Sequence, residues 1–351
     1  MKNNKELSFC FEEMGNQSEL YRPTSFWSDA SKLIIDEIEE LGIENFRSLP
    51  STLAYFVPTY GNPGNGISEL AIEDIKELIK EKFSNQLKLN LSLSNFFSGE
   101  FSALSDYRVF IGSDSEDKKP NLSNFSESTY GNPKEQFSFG DKLYSRSSLN
   151  YILGLVFLKN HLNDDIPKTV LEIGGGFGSL GEILMSSEIE NIKYIDIDIP
   201  PTSYVAHKYL SNKFGIEHVG SFESTKDLEI IEIEKLPKLS VLCSWQIEKI
   251  VGEIDLFVNF ISFQEMEPDV VENYFSHVVR LNPKWILLRN MKEGKNVKNH
   301  ASDAPGVKKP IKSEDYISMI PNYELIDRNV FPFGFKTVDG FNSELLLLKR
   351  K

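Results

Sequence analysis

Residues 170–181 read Val170-Leu171-Glu172-Ile173-Gly174-Gly175-Gly176-Phe177-Gly178-Ser179-Leu180-Gly181. The apolar first part is typical of a buried strand, and the glycines after it predict a tight turn that leads into a helix. A backbone without side chains can approach a ligand closely at such a turn. The unusual residue is Glu172, because it places an acid near the carboxyl end of an otherwise apolar strand.

The sequence after residue 145 alternates strands with helices. We expect strands at 169–173, 192–197, 239–243, 256–261, 285–290, 323–331 and 343–349. This alternation predicts a parallel sheet with helices on both faces. A short connection rich in Gly and Pro joins the last two strands, so we expect the final strand to be antiparallel. The predicted fold class is therefore α/β, with a Rossmann-like, mostly parallel sheet.

The first 145 residues have a different pattern and are expected to be mainly helical. Helices are predicted at 27–41 and 67–83 from the spacing of apolar residues. A half-buried strand is predicted where leucines alternate with other residues, at Leu87, Leu89, Leu91 and Leu93. The polar stretch 112–129 predicts a loop, and we place the boundary between the two regions at residues 145 and 146.

Composition excludes some classes of function. The 351 residues carry a net charge of −14, which argues against sequence-independent binding to nucleic acid or to anionic membranes. No apolar stretch is long enough to span a bilayer, and the start of the chain shows no signal segment. Cys10 and Cys243 have no metal-ligand spacing. We therefore expect a cytoplasmic protein with two reduced thiols.

Two kinds of nucleotide-like ligand are compatible with the glycines. The spacing Gly176-x-Gly178-x-x-Gly181 matches the dinucleotide fingerprint, which keeps an NAD(P)-dependent oxidoreductase as an alternative. Asp196 and Asp198 end the next strand, where a carboxylate can bind ribose hydroxyls. A carboxylate at position 172 would repel a diphosphate, but it would attract the sulfonium and ammonium groups of S-adenosylmethionine (SAM). The acid therefore favours SAM over a dinucleotide.

The segment Glu172-x-Gly174-x-Gly176-x-Gly178 resembles motif I of the class I SAM-dependent methyltransferases. This resemblance covers the chain from about Lys168 to the end, and it identifies Asp198 with the family's ribose-binding acid. It also implies an adenine site after the third strand. Residues implied to bind the cofactor are Glu172, Gly174, Gly176, Gly178, Asp198, Ser244, Trp245 and Gln246.

A narrower resemblance covers more of the chain. It is to the sugar O-methyltransferases of bacterial surface-polysaccharide clusters, such as those for O-antigen or capsule. It implies that 146–351 form the SAM-binding domain and that 1–145 form an acceptor-binding or lid region. The motifs that carry it, in order along the chain, are Asn45-Phe46-Arg47, Gly131-Asn132-Pro133, Asp198-Ile199-Pro200 and Ser262-Phe263-Gln264-Glu265-Met266.

Methyl transfer to a sugar hydroxyl would be assisted by a base beside that hydroxyl. Glu265 follows the strand 256–261 and is the first candidate, although an acid at the entry to the next helix is an equally good interpretation. His300 lies in the loop after the strand 285–290 and is the rival base. The sequence contains no convincing metal-ligand spacing, so dependence on a divalent metal is left open.

A basic segment follows the strand 285–290. It contains six lysines between Lys292 and Lys312, and it leaves the sheet on the side where ligands bind. We expect either a solvated loop or a surface that attracts an anionic acceptor, such as a nucleotide- or lipid-linked sugar. A catalytically silent module that binds the cofactor is a further alternative.

Overall fold

The computed structural model describes residues 5–24, 26–56, 69–83, 87–162, 165–298, 306–337 and 340–351. Before residue 145 the described chain is mainly helical, as predicted, and ends in a short hairpin. Its elements are α1 (Lys5–Gly15), α2 (Trp27–Leu41), α3 (Pro50–Tyr55), α4 (Glu69–Phe83), α5 (Leu87–Ser98), α6 (Glu100–Ser113), β1 (Phe137–Phe139) and β2 (Lys142–Tyr144). Within these ranges and the rest of the described chain, no helix combines the length and apolar character needed to cross a membrane.

The predicted strand at residues 87–93 is wrong, because this segment belongs to helix α5. Leucine favours helices strongly, and the sequence of α5 contains no β-branched residue to favour a strand. Helices α4 and α6 both contact α5, so its neighbours are helical as well. The alternation of leucines was therefore not a sign of a sheet surface.

The remainder of the chain alternates helices and strands. Its helices are α7 (Arg146–His161), α8 (Ser179–Met185), α9 (Thr202–Phe214), α10 (Phe222–Thr225), α11 (Pro268–Arg280) and α12 (Ser313–Met319). Its strands are β3 (Thr169–Ile173), β4 (Lys193–Asp198), β5 (Val219–Gly220), β6 (Ile231–Glu232), β7 (Leu239–Cys243), β8 (Ile250–Val251), β9 (Leu256–Phe260), β10 (Trp285–Met291), β11 (Tyr323–Asn329), β12 (Phe335–Lys336) and β13 (Asn342–Arg350).

The main sheet has the strand order β11-β13-β10-β9-β3-β4-β7-β5, with β12 paired to β13. Strands β10, β9, β3, β4, β7 and β5 are parallel to one another, whereas β13 is antiparallel to both β10 and β11. The predicted antiparallel final strand is thus confirmed, and it inserts between two earlier strands. The chain builds outward from β3 in one direction and then returns to β9 on its other side, so the order reverses between β3 and β9. Ligands of open α/β sheets bind beyond the carboxyl ends of the strands at such a reversal.

Helix α7 joins the sheet to the helical N-terminal region. Ser145 begins it with a capping box, in which its hydroxyl accepts from the N–H of Ser148 (3.1 Å) while the Ser148 hydroxyl accepts from the N–H of Ser145 (3.0 Å). Every residue from 146 to 159 is buried, because α7 contacts α6 on one side and α8 and β10 on others. The apolar stretch around residues 149–158 is therefore a buried helix. This burial fixes which side chains of α7 face the carboxyl ends of the strands.

The N-terminal region also supports the glycine turn after β3. The N–H of Arg47 donates to the carbonyl of Gly131 (2.8 Å), which joins two motifs that are far apart in the sequence. The Arg47 guanidinium pairs with the buried carboxylate of Glu127 (2.8 Å) and lies 4.9 Å from the ring centre of Phe177. Since Phe177 belongs to the turn, these contacts hold the turn from outside the sheet.

Candidate active site

A cavity lies at the carboxyl ends of β3, β4 and β9. Its floor is formed by residues that end or directly follow these strands, in the ranges 173–177, 197–199 and 260–262. Aromatic side chains from the N-terminal region form its roof, and they are Phe26, Trp27, Tyr55 and Phe56. Their ring centres lie between 5.7 and 6.0 Å apart in four pairs. The cavity therefore lies where the sheet topology predicts a ligand, and it is closed by residues that precede the sheet.

The glycines of the turn have two different roles. Gly174 (φ +76°) packs directly against the side chain of Ser262, so any larger residue would collide with it. Gly176 (φ +64°) faces the cavity, and a Cβ added there would meet only Phe56, at 3.5 Å. Both positions need glycine for their backbone conformation. Of the two, Gly176 is where a ligand can approach the backbone.

The acids at the end of β4 bind the backbone of the turn. Asp198 lines the cavity, and its carboxylate accepts from the N–H groups of Gly176 (3.2 Å) and Ile199 (2.7 Å). Asp196 is fully buried and accepts from the N–H of Gly175 (3.1 Å) through one oxygen. Its other oxygen has no partner among the described residues. The pair of acids predicted from the sequence thus meets the glycine turn directly.

Glu172 lies beneath the cavity rather than in its wall. It is fully buried, and its two oxygens accept hydrogen bonds from the hydroxyls of Tyr151 (2.7 Å) and Tyr194 (2.6 Å). Of these three residues only Tyr151 reaches the cavity. The predicted placement of Glu172 in the cavity wall is therefore not what the structure shows, because its side chain points to the face of the sheet where the two tyrosines meet it.

The three acids form a cluster of buried carboxyl groups whose protonated forms are favoured in the free protein. Burial raises the pKa of Glu172 to about 7 and that of Asp198 to about 8, although hydrogen bonds to each oppose the shift. Burial and the charges of Asp198 and Glu172 raise the pKa of Asp196 well above its ordinary value. Within the described ranges, none of the three forms an ion pair with Lys or Arg. A bound cation would stabilise their ionised forms.

Several buried polar atoms at the cavity have no partner among the described residues: Asn150 Oδ1, Ser179 Oγ and Thr202 Oγ1. Such atoms are rare in folded proteins, and a ligand in the cavity would account for them. Ile261 also lines the cavity, with φ +72°. A β-branched residue rarely adopts this conformation, and strain of this kind is concentrated at functional sites.

Glu265 lies at the cavity, close to the aromatic roof. One carboxylate oxygen accepts from Lys295 (2.6 Å) and the other from the indole N–H of Trp27 (3.0 Å). The Glu265 carbonyl accepts from the hydroxyl of Thr24 (2.8 Å), and the Lys295 ammonium lies 3.8 Å from the ring centre of Phe26. Glu265 therefore holds the roof to the end of β9. A carboxylate has about four lone-pair positions, so it can still accept a hydrogen bond from a ligand.

The predicted adenine residues do not line the cavity. The Ser244 hydroxyl donates to the carbonyl of Tyr21 (2.7 Å), and Trp245 packs edge-on against Phe222. Gln246 accepts from the N–H of Cys243 (2.9 Å) and donates to Thr225 (2.8 Å). The polar groups of Ser244 and Gln246 are thus satisfied inside the protein. The rival base His300 lies outside the described residues.

Several cavity residues were missed in the sequence. The roof residues lie far upstream of the sheet, and their aromatic side chains gave no periodic signal of a site. Ser147, Asn150 and Tyr151 did carry a signal, since they are polar residues at helical spacing within an apolar helix. As for metals, the described ranges contain no group of three or more His, Cys, Asp or Glu residues arranged to hold an ion.

Comparison with known proteins adds similarity of fold. No protein-family model matches the chain, and the curated proteins gave no match. Among solved structures, the chain is similar to magnesium protoporphyrin IX methyltransferase from Synechocystis PCC 6803 with bound SAM, at 10% identity and a TM-score of 0.38, over 59% of this chain and 81% of that one. It is also similar to the PH0226 protein from Pyrococcus horikoshii OT3 (12% identity, TM-score 0.40, 59% and 92%) and to mitomycin 7-O-methyltransferase (12%, 0.36, 58% and 55%). At such identities and TM-scores the likeness does not extend to ligands or acceptors.

Proposed function

We propose that this protein is a SAM-dependent O-methyltransferase that methylates a sugar hydroxyl during the synthesis of a bacterial surface polysaccharide. The observation that carries the cofactor assignment is the group of three buried acids at a glycine turn. These acids have no basic partner among the described residues, and Asp198 faces the cavity. The group complements a cation and opposes a dinucleotide's diphosphate.

The residues present fit this cofactor. Asp198 is placed to accept hydrogen bonds from ribose hydroxyls, and Gly176 leaves room for close approach of the ligand. The unpartnered oxygens of Ser179 and Thr202 supply further hydrogen-bonding positions. When bound, SAM supplies an electrophilic methyl group, so the protein's task is to align the acceptor oxygen with it and to exclude water.

The roof supports an acceptor with an apolar face and at least one hydroxyl. The rings of Trp27, Tyr55 and Phe56 provide flat apolar surfaces for the C–H faces of a sugar. Glu265 lies among them, and we assign it the role of the base that receives the proton of the acceptor hydroxyl. Lys295 holds the Glu265 carboxylate in place (2.6 Å) and keeps positive charge at the mouth of the cavity. That charge suits a nucleotide- or lipid-linked sugar.

The test is methyl transfer from SAM carrying a labelled methyl group to a panel of nucleotide sugars and lipid-linked glycans. We expect a labelled sugar ether with at least one member of the panel. Gly176→Arg fills the cavity and should abolish transfer, whereas Gly112→Arg, at an exposed site with open space around it, should not. Transfer that survives Gly176→Arg, or labelling of phenolic or protein acceptors instead of sugars, would contradict the proposal.

A further inference from the structure

One wall of the cavity consists of three polar residues from a single helix. Ser147, Asn150 and Tyr151 lie at i, i+3 and i+4 of α7, so their side chains share one face of the helix. All three line the cavity, and each is more than nine-tenths buried, with exposed fractions of 7%, 6% and 9%. Polar groups buried to this degree need hydrogen-bond partners. A hydrogen-bonding position that the protein leaves unused therefore indicates what kind of ligand group would face it.

Each of these residues offers the cavity an oxygen that can only accept. The Tyr151 hydroxyl gives its hydrogen to Glu172 (2.7 Å), and the Ser147 hydroxyl gives its hydrogen to the carbonyl of Phe56 (3.1 Å). The Oδ1 atom of Asn150 has no partner among the described residues. A hydroxyl that donates its only hydrogen keeps lone pairs alone for any further partner. The helix therefore presents three acceptors, and the unpartnered Asn150 Oδ1 requires a donor opposite it.

We propose that this face of α7 binds the ammonium group at the amino-acid end of the cofactor, and that Glu172 is a positioning residue that orients the Tyr151 hydroxyl. The inference rests on the proposed function and assigns residues to one end of its ligand. An ammonium group offers three N–H donors, which matches three acceptors. The acids beside the turn favour a cation over a neutral hydroxyl at this position.

The chain contains a matched control for Tyr151. Tyr194 donates to the other oxygen of Glu172 (2.6 Å), but it is fully buried and does not line the cavity. Tyr151→Phe and Tyr194→Phe therefore remove the same kind of bond to the same carboxylate. Only the first also removes an acceptor from the cavity wall, so a general loss of stability would affect the two variants alike.

The experiment is calorimetry of the full chain with two ligands. One is S-adenosylhomocysteine, and the other is its analogue in which hydrogen replaces the amino group. We expect the wild type and Tyr194→Phe to prefer the amino compound to a similar extent. In Tyr151→Phe this preference should fall about tenfold, as expected for a lost hydrogen bond to a charged group. Asn150→Ala should lower the preference in the same direction, and Glu172→Gln should also lower it, because an amide can donate to Tyr151 and reverse its hydroxyl.

Four outcomes would overturn the inference. If the preference for the amino compound were unchanged in Tyr151→Phe, or were lowered equally in Tyr194→Phe, the face would not bind the amino group. If Tyr151→Phe kept the normal preference for the amino compound but had a raised KM for the acceptor, the face would be assigned to acceptor hydroxyls instead. Failure of the wild type to bind either ligand would overturn the proposed function together with the inference, whereas the first three results leave that function intact.

Discussion

The carboxylate of Asp198 accepts a hydrogen bond from the backbone N–H of Gly176 across 3.2 Å, and both residues line the same cavity. This bond joins the end of β4 to the turn after β3, so the acid and the glycine hold a fixed relative position. Any ligand that approaches the Gly176 backbone also meets the Asp198 carboxylate. The chemical groups that a ligand meets at this point of the cavity are therefore set by both residues together.

Replacing Gly176 by alanine should weaken cofactor binding more than it weakens the fold. The added methyl group would project toward the cavity, near Phe56. Gly140 is the matched control, since its φ of +68° is close to the +64° of Gly176 and open space surrounds it. Each substitution costs about 1 kcal/mol of backbone strain. Calorimetry should show at least tenfold weaker binding of S-adenosylhomocysteine in Gly176→Ala only, and equal losses in both variants would argue against a ligand at the turn.

Cofactor affinity should rise with pH. Because the pKa of Glu172 is raised to about 7 and that of Asp198 to about 8, both acids are largely protonated at pH 6 and ionised at pH 8.5. A cationic ligand prefers the ionised forms, so SAM should bind at least tenfold more tightly at pH 8.5 than at pH 6, with release of protons. Calorimetry in buffers of different ionisation enthalpy measures both quantities. Asp74→Asn, at an exposed acid, should keep this dependence while Asp198→Asn reduces it.

The stability of the ligand-free protein should show the opposite trend. The folded-state pKa values of Glu172 and Asp198 lie above the unfolded ones, so these acids stabilise the fold at low pH. That contribution is lost as the pH rises through about 7 and 8. We expect the Tm of the free protein to fall between pH 6 and 8.5, by less in Asp198→Asn. A Tm that rises over this interval and is unaffected by the substitution would contradict the raised pKa values of these acids.

Glu265→Gln should reduce turnover while leaving the cofactor bound. The amide cannot take the proton of an acceptor hydroxyl, and loss of a general base lowers kcat by roughly 10²–10⁴-fold. Glu267→Gln is the matched control, because this neighbouring acid accepts from the N–H groups of Lys308 and Lys309 and does not line the cavity. Steady-state kinetics with the sugar acceptor should separate the two variants. Equal kcat values in Glu265→Gln and the wild type would remove Glu265 as the base.

Arg47→Met should destabilise the protein substantially. It leaves the buried carboxylate of Glu127 without its cation, and breaking such a pair costs about 3–5 kcal/mol. It also removes the guanidinium that lies against Phe177 in the glycine turn. Urea denaturation should report this loss, and Arg108→Met, at an exposed position of α6, should change the free energy of unfolding by less than about 0.5 kcal/mol.

Local patterns were enough to predict the longer strands of the main sheet, but not the two-residue strands β5 and β12. Residues 169–173 and 239–243 form strands with the predicted bounds, because a short, mostly apolar run next to glycine or a polar turn permits few alternatives. The helix α5 was missed, since alternation of a single residue type with polar ones also occurs in helices. In this segment, the choice between strand and helix depends on contacts with neighbouring helices, which the local sequence does not reveal.

The cavity was predictable only in part. Asp198 and Gly176 follow adjacent strands, so the rules for parallel sheets place them together. Ser244, Trp245 and Gln246 also follow a strand, but they turn inward to partners from remote parts of the chain, such as Tyr21 and Thr225. The partners of Glu172 come from α7 and β4, which meet it only through tertiary packing. Position along a strand predicts the rim of a site, while side-chain direction depends on contacts between distant segments.

Cofactor choice is the central claim, and calorimetry with S-adenosylhomocysteine and NAD⁺ tests it most directly. We predict saturable binding of S-adenosylhomocysteine to the wild type, weakened at least tenfold by Asp198→Asn, and no heat of binding with NAD⁺ at millimolar concentration. Asp74→Asn should bind as the wild type does. Saturable binding of NAD⁺ together with no binding of S-adenosylhomocysteine would contradict the account.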